Sequence, residues 1–139
     1  MKLAQIVLVE DNPADVYLVE LALMENDIPY SLTRFETGEE AVRVLCRDGR
    51  PSDTIVPDVI LLDLNTPKSD GFEVLLKLKQ TPRLSKVPMA VISSSRAASD
   101  KHRTALQRTR YIEKPSQLAD FLDTVGQAVK EMLAPEHTS

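Results

Sequence analysis

Short apolar runs alternate along this chain with longer segments in which apolar residues recur at helical spacing. The runs predict five strands: Gln5–Val9, Tyr30–Phe35, Pro57–Asp63, Val87–Ile92 and Tyr111–Glu113. Within the third, Val59 to Leu62 contains no polar residue. An unbroken run of this length indicates a strand buried on both faces, as in a parallel sheet covered by helices.

The segments between the strands predict helices. Asn12 is suited to cap the first helix, and Thr37 with Glu40 forms a capping box at the second. The predicted helices are about Pro13–Asn26, Gly38–Arg47, Phe72–Thr81, Ser99–Gln107 and a last helix capped by Ser116, with Leu118, Phe121, Leu122, Val125 and Val129 facing inward. Regular β-α alternation predicts an α/β fold with a parallel sheet, right-handed crossovers and helices on both faces.

Composition narrows the classes of function. The 139 residues, 42% of them hydrophobic, suit one domain with a single core. A net charge of −4, with both signs mixed along the chain, disfavours direct binding to nucleic acid or a membrane. One cysteine, Cys46, rules out an internal disulfide, and the first residues resemble no signal peptide, so we expect a cytoplasmic protein.

Polar side chains follow four of the predicted strands at the point where each strand ends. They are Glu10 and Asp11, Asp63, Ser93, and Lys114. Because the carboxyl ends of parallel strands share one edge of the sheet, we expect these groups to lie together in the crevice where such sheets bind ligands. Neighbouring carboxylates repel one another unless a cation lies among them, and Mg²⁺ prefers carboxylate oxygens.

This arrangement predicts phosphoryl chemistry. With a metal beside it, the Asp63 carboxylate could attack phosphorus and form an aspartyl phosphate. Lys114 would then pair with one phosphoryl oxygen, and the Ser93 hydroxyl would bind another. Taken alone, Asp63 could equally be an ordinary turn residue at a strand end.

At these residues the chain resembles the receiver domains of two-component response regulators. The matching motifs are Val-Glu-Asp at 9–11, Leu-Leu-Asp-Leu-Asn-Thr-Pro at 61–67, Ser93 after an apolar strand, and Lys114-Pro115. Each motif is weak alone, but their order and spacing together are specific. The resemblance covers essentially the whole chain and implies a flavodoxin-like, doubly wound (βα)5 fold with strand order 2-1-3-4-5.

The resemblance also implies roles for individual residues. Glu10, Asp11, Asp63 and the main-chain carbonyl of Asn65 would hold Mg²⁺, and Asp63 would be the phosphoacceptor. The Lys114–Pro115 peptide bond would be cis. Ser93 and Tyr111 would form the switch that reshapes the surface built by the last two strands and helices. Asn65 and Ser95 would tune hydrolysis of the phosphoryl group, and since both are uncharged, we expect slow to moderate loss of phosphate.

The expected protein is a regulator and not an enzyme. It comprises a receiver domain at 1–134 and a flexible tail at 135–139, with no output domain after it. The opening motif and the long Arg50-Pro51 loop are most similar to stand-alone regulators that pair with bacterial phytochrome kinases. The implied partners are a sensor histidine kinase, specifically a bacteriophytochrome, and an unidentified downstream protein, while a homodimer stays open.

Two other functions are compatible with parts of the sequence. Asp63-Leu64-Asn65-Thr66 is loosely similar to the nucleophile loop of haloacid-dehalogenase-like phosphohydrolases, but Asn65 replaces the acid that would protonate the leaving group. A receiver-like docking module that signals without phosphate is the other alternative, which the intact Asp63 and Lys114 disfavour. His102, His137 and the basic segment Arg96–Arg110 are interpreted as surface, and Cys46 as a small buried side chain.

Overall fold

The computed structural model describes residues 2–46, 56–64, 71–94 and 109–134. Its strands are β1 (Ala4–Val9), β2 (Tyr30–Phe35), β3 (Val59–Asp63), β4 (Met89–Ser93) and β5 (Arg110–Glu113). Its helices are α1 (Pro13–Glu25), α2 (Gly38–Leu45), α3 (Gly71–Gln80) and α4 (Leu118–Leu133), with a 3₁₀ turn at Pro82–Leu84. The predicted helix at 99–107 lies outside the described residues.

The strands form one parallel sheet in the order β2-β1-β3-β4-β5, as predicted. The central strand β3 is buried along its whole length, which explains its unbroken apolar run. Side chains that alternate along the strands form two cores, one on each face of the sheet. Ile6, Leu8, Val59 and Leu61 belong to one core, and Val7, Val9, Ile60 and Leu62 to the other.

Helices cover both faces. α1 and α4 pack on the first core through residues such as Leu23 and Val125, and α2 and α3 cover the second through residues such as Leu45 and Leu75. The two helices of the first face approach closely at Gly126, where an added Cβ would lie 1.9 Å from Nδ2 of Asn26. A larger residue at position 126 would displace the Asn26 side chain, whose Nδ2 donates to the carbonyls of Ala22 and Leu122 and so links α1 to α4.

Several predicted boundaries need correction. β4 begins at Met89 instead of Val87, since Pro88 has no N–H to donate to the sheet. The N-cap of α4 is Gln117, with no side-chain capping bond, and not Ser116. Leu118 is 54% exposed, so the predicted inward face of this helix begins at Phe121.

The prediction of a cis peptide bond between Lys114 and Pro115 is wrong. The structure has no cis bond among the described residues, so this bond is trans. Trans is the lower-energy isomer of an isolated X–Pro bond.

Candidate functional site

The strand ends place the predicted residues at one edge of the sheet. β1 and β3 are neighbouring parallel strands with Val9 opposite Leu62. Glu10 and Asp63 are the next residues of the two strands, so they lie side by side at the same edge of the sheet. Asp63 lies opposite Ile92, and Ser93 lies opposite Glu113, the residue before Lys114. The group is buried: Glu10 is 3% exposed, Asp63 is 2% and Ser93 is fully enclosed.

Lys114 is the cation at the centre of this site. Its Nζ lies 3.1 Å from Oδ2 of Asp63, 3.3 Å from Oδ2 of Asp15 and 3.8 Å from Oε1 of Glu10. The side chain is 18% exposed, and its backbone N–H donates to the carbonyl of Ser93 at 2.8 Å. One partly buried ammonium group therefore serves three carboxylates at once.

The two residues of the acidic pair differ in environment. Glu10 continues the sheet, because its N–H donates to the carbonyl of Phe35 at 3.0 Å, and its carboxylate accepts from the N–H of Asn12 at 3.2 Å. Asn12 then caps α1 by accepting from the N–H of Ala14 at 2.9 Å. Glu10 is thus turned into the site, whereas the side chain of Asp11 is exposed.

Asp15 is a site residue that the sequence interpretation missed. One carboxylate oxygen from each of Glu10, Asp15 and Asp63 falls within 4.8 Å of the others. In the sequence alone, Asp15 stands out only as a favourable charge at the positive end of the α1 dipole. The available signal was its place in the first turn of α1, since helical side chains point back toward the N-terminus and hence toward the acidic pair.

Burial and like charge shift the ionisation of this group. Burial raises the pKa of Glu10 to about 9, and a hydrogen bond to Asp63 and the charge of Asp63 add to the effect. Burial opposes the charged form of Lys114, but the attraction of Asp63, Glu10 and Asp15 outweighs it, so the pKa of Lys114 is raised. The raised pKa favours the protonated form of Glu10 beside Asp63.

The donor set fits a hard divalent cation. Three carboxylates within reach of one point, two of them buried, supply the oxygen ligands that Mg²⁺ and Mn²⁺ prefer. A cation there would also remove the repulsion that raises the pKa of Glu10. Asp11 stays a predicted ligand, since its carboxylate is outside this group, and Asn65 lies outside the described residues.

The predicted switch residues lie next to the site. Ser93 ends β4 and is fully buried, while Tyr111 in β5 is partly buried against the core that α2 and α3 cover. Their switch role stays a prediction. Ser95, His102 and His137 lie outside the described residues. Cys46 is half-buried at the end of α2, with Sγ 3.8 Å from the carbonyl oxygen of Lys77, and is thus less enclosed than expected.

Comparison with known proteins decides the family. The family model for the response regulator receiver domain matches residues 6–126. The chain belongs to the response regulator receiver family. It is a receiver-type response regulator of two-component signalling, and its acidic cluster lies where the carboxylates could bind Mg²⁺. No helix in the described ranges is long and apolar enough to cross a membrane.

Particular relatives are similar over most of their length. Response regulator Rcp1 of Synechocystis sp. is 36% identical over 121 residues, which cover 86% of this chain and 82% of the relative. Among solved structures, the phosphorylated cyanobacterial phytochrome response regulator RcpA is 34% identical with a TM-score of 0.85, covering 96% of both chains. The Mn²⁺-bound form of Rcp1 is 33% identical with a TM-score of 0.82, covering 98% of this chain and 96% of that one.

Proposed function

We propose that this protein accepts a phosphoryl group from a sensor histidine kinase onto Asp63 and signals by binding another protein. The observation that carries the proposal is the environment of Asp63. It is a buried carboxylate at the end of the central strand, with Lys114 Nζ 3.1 Å from Oδ2 and two further carboxylates beside it. A carboxylate that is shielded from solvent and paired with a cation is suited to nucleophilic attack on phosphorus.

In the proposed reaction, a carboxylate oxygen of Asp63 attacks the phosphorus of a phosphohistidine on the kinase. The new O–P bond forms as the P–N bond breaks, and the departing imidazole nitrogen keeps the electron pair and takes up a proton. Lys114 binds one phosphoryl oxygen and neutralises part of its charge, and Ser93 donates to another. To bind this oxygen, the Lys114 ammonium group exchanges its contact with one of the three carboxylates for a contact with the phosphoryl oxygen.

Glu10, Asp11 and Asp63, with the Asn65 carbonyl, would hold Mg²⁺, which would neutralise charge on the phosphoryl oxygens. Asp15 is placed to join them directly or through water. The Mn²⁺-bound form of Rcp1, 33% identical, supports a divalent site in this chain. The likeness to RcpA, a phytochrome response regulator, supports a bacteriophytochrome as the kinase. The proposed reaction takes place in the cytoplasm.

In the proposed output, Ser93 moves toward the phosphoryl group and Tyr111 turns inward, which changes the surface around β4, β5 and α4. Asn65 and Ser95 offer no charge to orient an attacking water, so the phosphoryl group is lost slowly to moderately. Loss of the phosphoryl group within seconds would contradict this expected rate.

Size-exclusion chromatography tests the proposed output. With beryllofluoride and Mg²⁺ present, a homodimer formed on activation would elute earlier than the untreated protein.

The central experiment is intact mass spectrometry after treatment with acetyl phosphate and Mg²⁺. The wild-type protein should gain one phosphate, and the Asp63→Asn variant should gain none. Asp58→Asn is the matched control, because it removes an acidic residue from the opposite end of the sheet and should be phosphorylated like the wild type. An adduct that persists in Asp63→Asn would refute the assignment.

A further inference from the structure

Arg34 connects the edge strand β2 to the loop that carries the acidic pair. Its Nε donates to the carbonyl oxygen of Glu10 at 3.0 Å, and its Nη2 donates to the carbonyl oxygen of Asp11 at 2.9 Å. The side chain is only 27% exposed. One planar guanidinium group therefore binds two successive carbonyls, a geometry that its forked donors suit and a lysine cannot reproduce.

The end of β2 makes a third contact with the same loop. Phe35, the next residue, accepts from the N–H of Glu10 at 3.0 Å. Two adjacent residues of β2 thus hold three polar groups of the loop backbone: the N–H and the carbonyl of Glu10, and the carbonyl of Asp11. Because these groups flank the Cα atoms of Glu10 and Asp11, they set the direction in which both carboxylates leave the chain.

We propose that Arg34 is a positioning residue for the divalent-cation site, a role that rests on the proposed function. It does not contact the cation. It holds the main chain of Glu10 and Asp11 so that their carboxylates are placed before the cation arrives, which lowers the cost of ordering them on binding.

The charge of Arg34 has the opposite effect, and this makes the proposal testable. A guanidinium near a cation site repels the cation, so charge alone predicts tighter binding when Arg34 is neutralised. Glu36 reduces this effect, since its Oε1 lies 3.7 Å from Nη1 of Arg34, and partial exposure adds screening by solvent. We expect the positioning effect to be the larger of the two.

The experiment measures Mn²⁺ affinity by electron paramagnetic resonance for the wild type, Arg34→Gln and Arg34→Lys. Loss of supporting hydrogen bonds behind metal ligands typically weakens binding by 10–100-fold. We expect a loss of about tenfold for Arg34→Gln and a smaller loss, about threefold, for Arg34→Lys, whose ammonium group can still donate to one of the two carbonyls. Unfolding in urea is measured in parallel, and affinities are taken where each variant is fully folded, so that a loss of stability is not mistaken for a loss of affinity.

Arg110→Gln is the matched control, because Arg110 also pairs with a glutamate but lies at the other end of the sheet. Its affinity should equal that of the wild type. Unchanged or tighter binding by Arg34→Gln, with Arg34→Lys like the wild type, would overturn the positioning role and leave only a charge effect. Absence of Mn²⁺ binding by both the wild type and Arg110→Gln would instead contradict the proposed function itself.

Discussion

The two ends of the sheet carry charged residues in very different ways. At the carboxyl end, Glu10 and Asp63 are buried and share Lys114 with Asp15. At the amino end, a cavity of about 900 Å³ is lined by charged residues that include Asp58, Lys79, Lys86 and Arg110. The proposed site lies where charges are buried together, and not at the amino-end cavity.

Pairing explains the difference. At the amino end, Arg110 forms a single exposed ion pair with Glu131 at 2.7 Å, and burial alone lowers the pKa of Lys79. At the carboxyl end, one ammonium group balances three carboxylates, so the fold carries unrelieved repulsion that a divalent cation would relieve. The first arrangement should contribute modestly to stability, whereas the second is the one expected of the proposed cation site.

Removing Lys114 should have the largest effect on stability. Lys114→Ala leaves Asp63, Asp15 and Glu10 without their cation, and loss of one partner from a buried pair costs roughly 3–5 kcal/mol. We expect a loss of about 3 kcal/mol in the free energy of unfolding at pH 7, at the low end of that range because the side chains of Lys114 and Asp15 are partly exposed to water. Urea unfolding in EDTA measures it, and adding Mg²⁺ should recover part of the loss.

Arg110→Ala is the corresponding change at the amino end. An exposed pair such as Arg110–Glu131 contributes roughly 0–1 kcal/mol, so this variant should differ from the wild type by less than about 1 kcal/mol. If the two variants lost equal stability, the contrast between the two ends of the sheet would be wrong.

The next effect concerns pH. The pKa of Glu10 in the folded protein, about 9, lies above its ordinary value of 4.5, so the folded state keeps a proton that the unfolded chain releases. The resulting stability is complete below pH 4.5 and is lost as pH rises toward 9. In EDTA, we therefore expect the free energy of unfolding to fall by about 1.4 kcal/mol between pH 6 and pH 7, where the folded state binds one proton more than the unfolded chain.

Glu10→Gln tests the origin of this dependence. Glutamine keeps the size of the side chain but does not titrate, so the decrease should flatten in the variant. Lys114 does not interfere, because its pKa is raised from 10.5 and its own contribution is lost only above this range. The same slope in both proteins would show that another group is responsible.

The sequence predicted what depends on local pattern. Apolar runs located the strands, and reading each run to its polar end brought Glu10, Asp63, Ser93 and Lys114 to one edge of the sheet. It could not reveal contacts that depend on how neighbouring elements are oriented. The first turn of α1 points Asp15 toward the acidic pair, but its contact with Lys114 depends on how α1 packs against the end of β5.

Two further residues show the same limit. Arg34 belongs to an alternating strand, and nothing in its neighbours indicates that its side chain reaches the carbonyls of another strand's loop. Leu118 fits the helical period of α4, yet it lies before the helix meets the core and is exposed. Periodicity identifies the apolar face of a helix but not where along its length the packing begins.

Asp58, at the amino end of the sheet, should have a small effect as well. Asp58 and Gln5 pair reciprocally: Oδ2 of Asp58 accepts from the N–H of Gln5, and the Asp58 N–H donates to the carbonyl of Gln5, both at 2.7 Å. Asp58→Ala removes only the first of these bonds, and the N–H of Gln5 can then donate to water instead. The expected loss is about 1 kcal/mol in the free energy of unfolding.

Asp58→Asn separates the hydrogen bond from the charge. The amide oxygen can still accept from Gln5, so this variant should lose less than half as much stability as Asp58→Ala. Mn²⁺ affinity and phosphorylation by acetyl phosphate should match the wild type in both variants, because Asp58 lies at the opposite end of the strands from Asp63. A change in either property would show that the two ends of the sheet are coupled, and the separation of stabilising from functional charges would then fail.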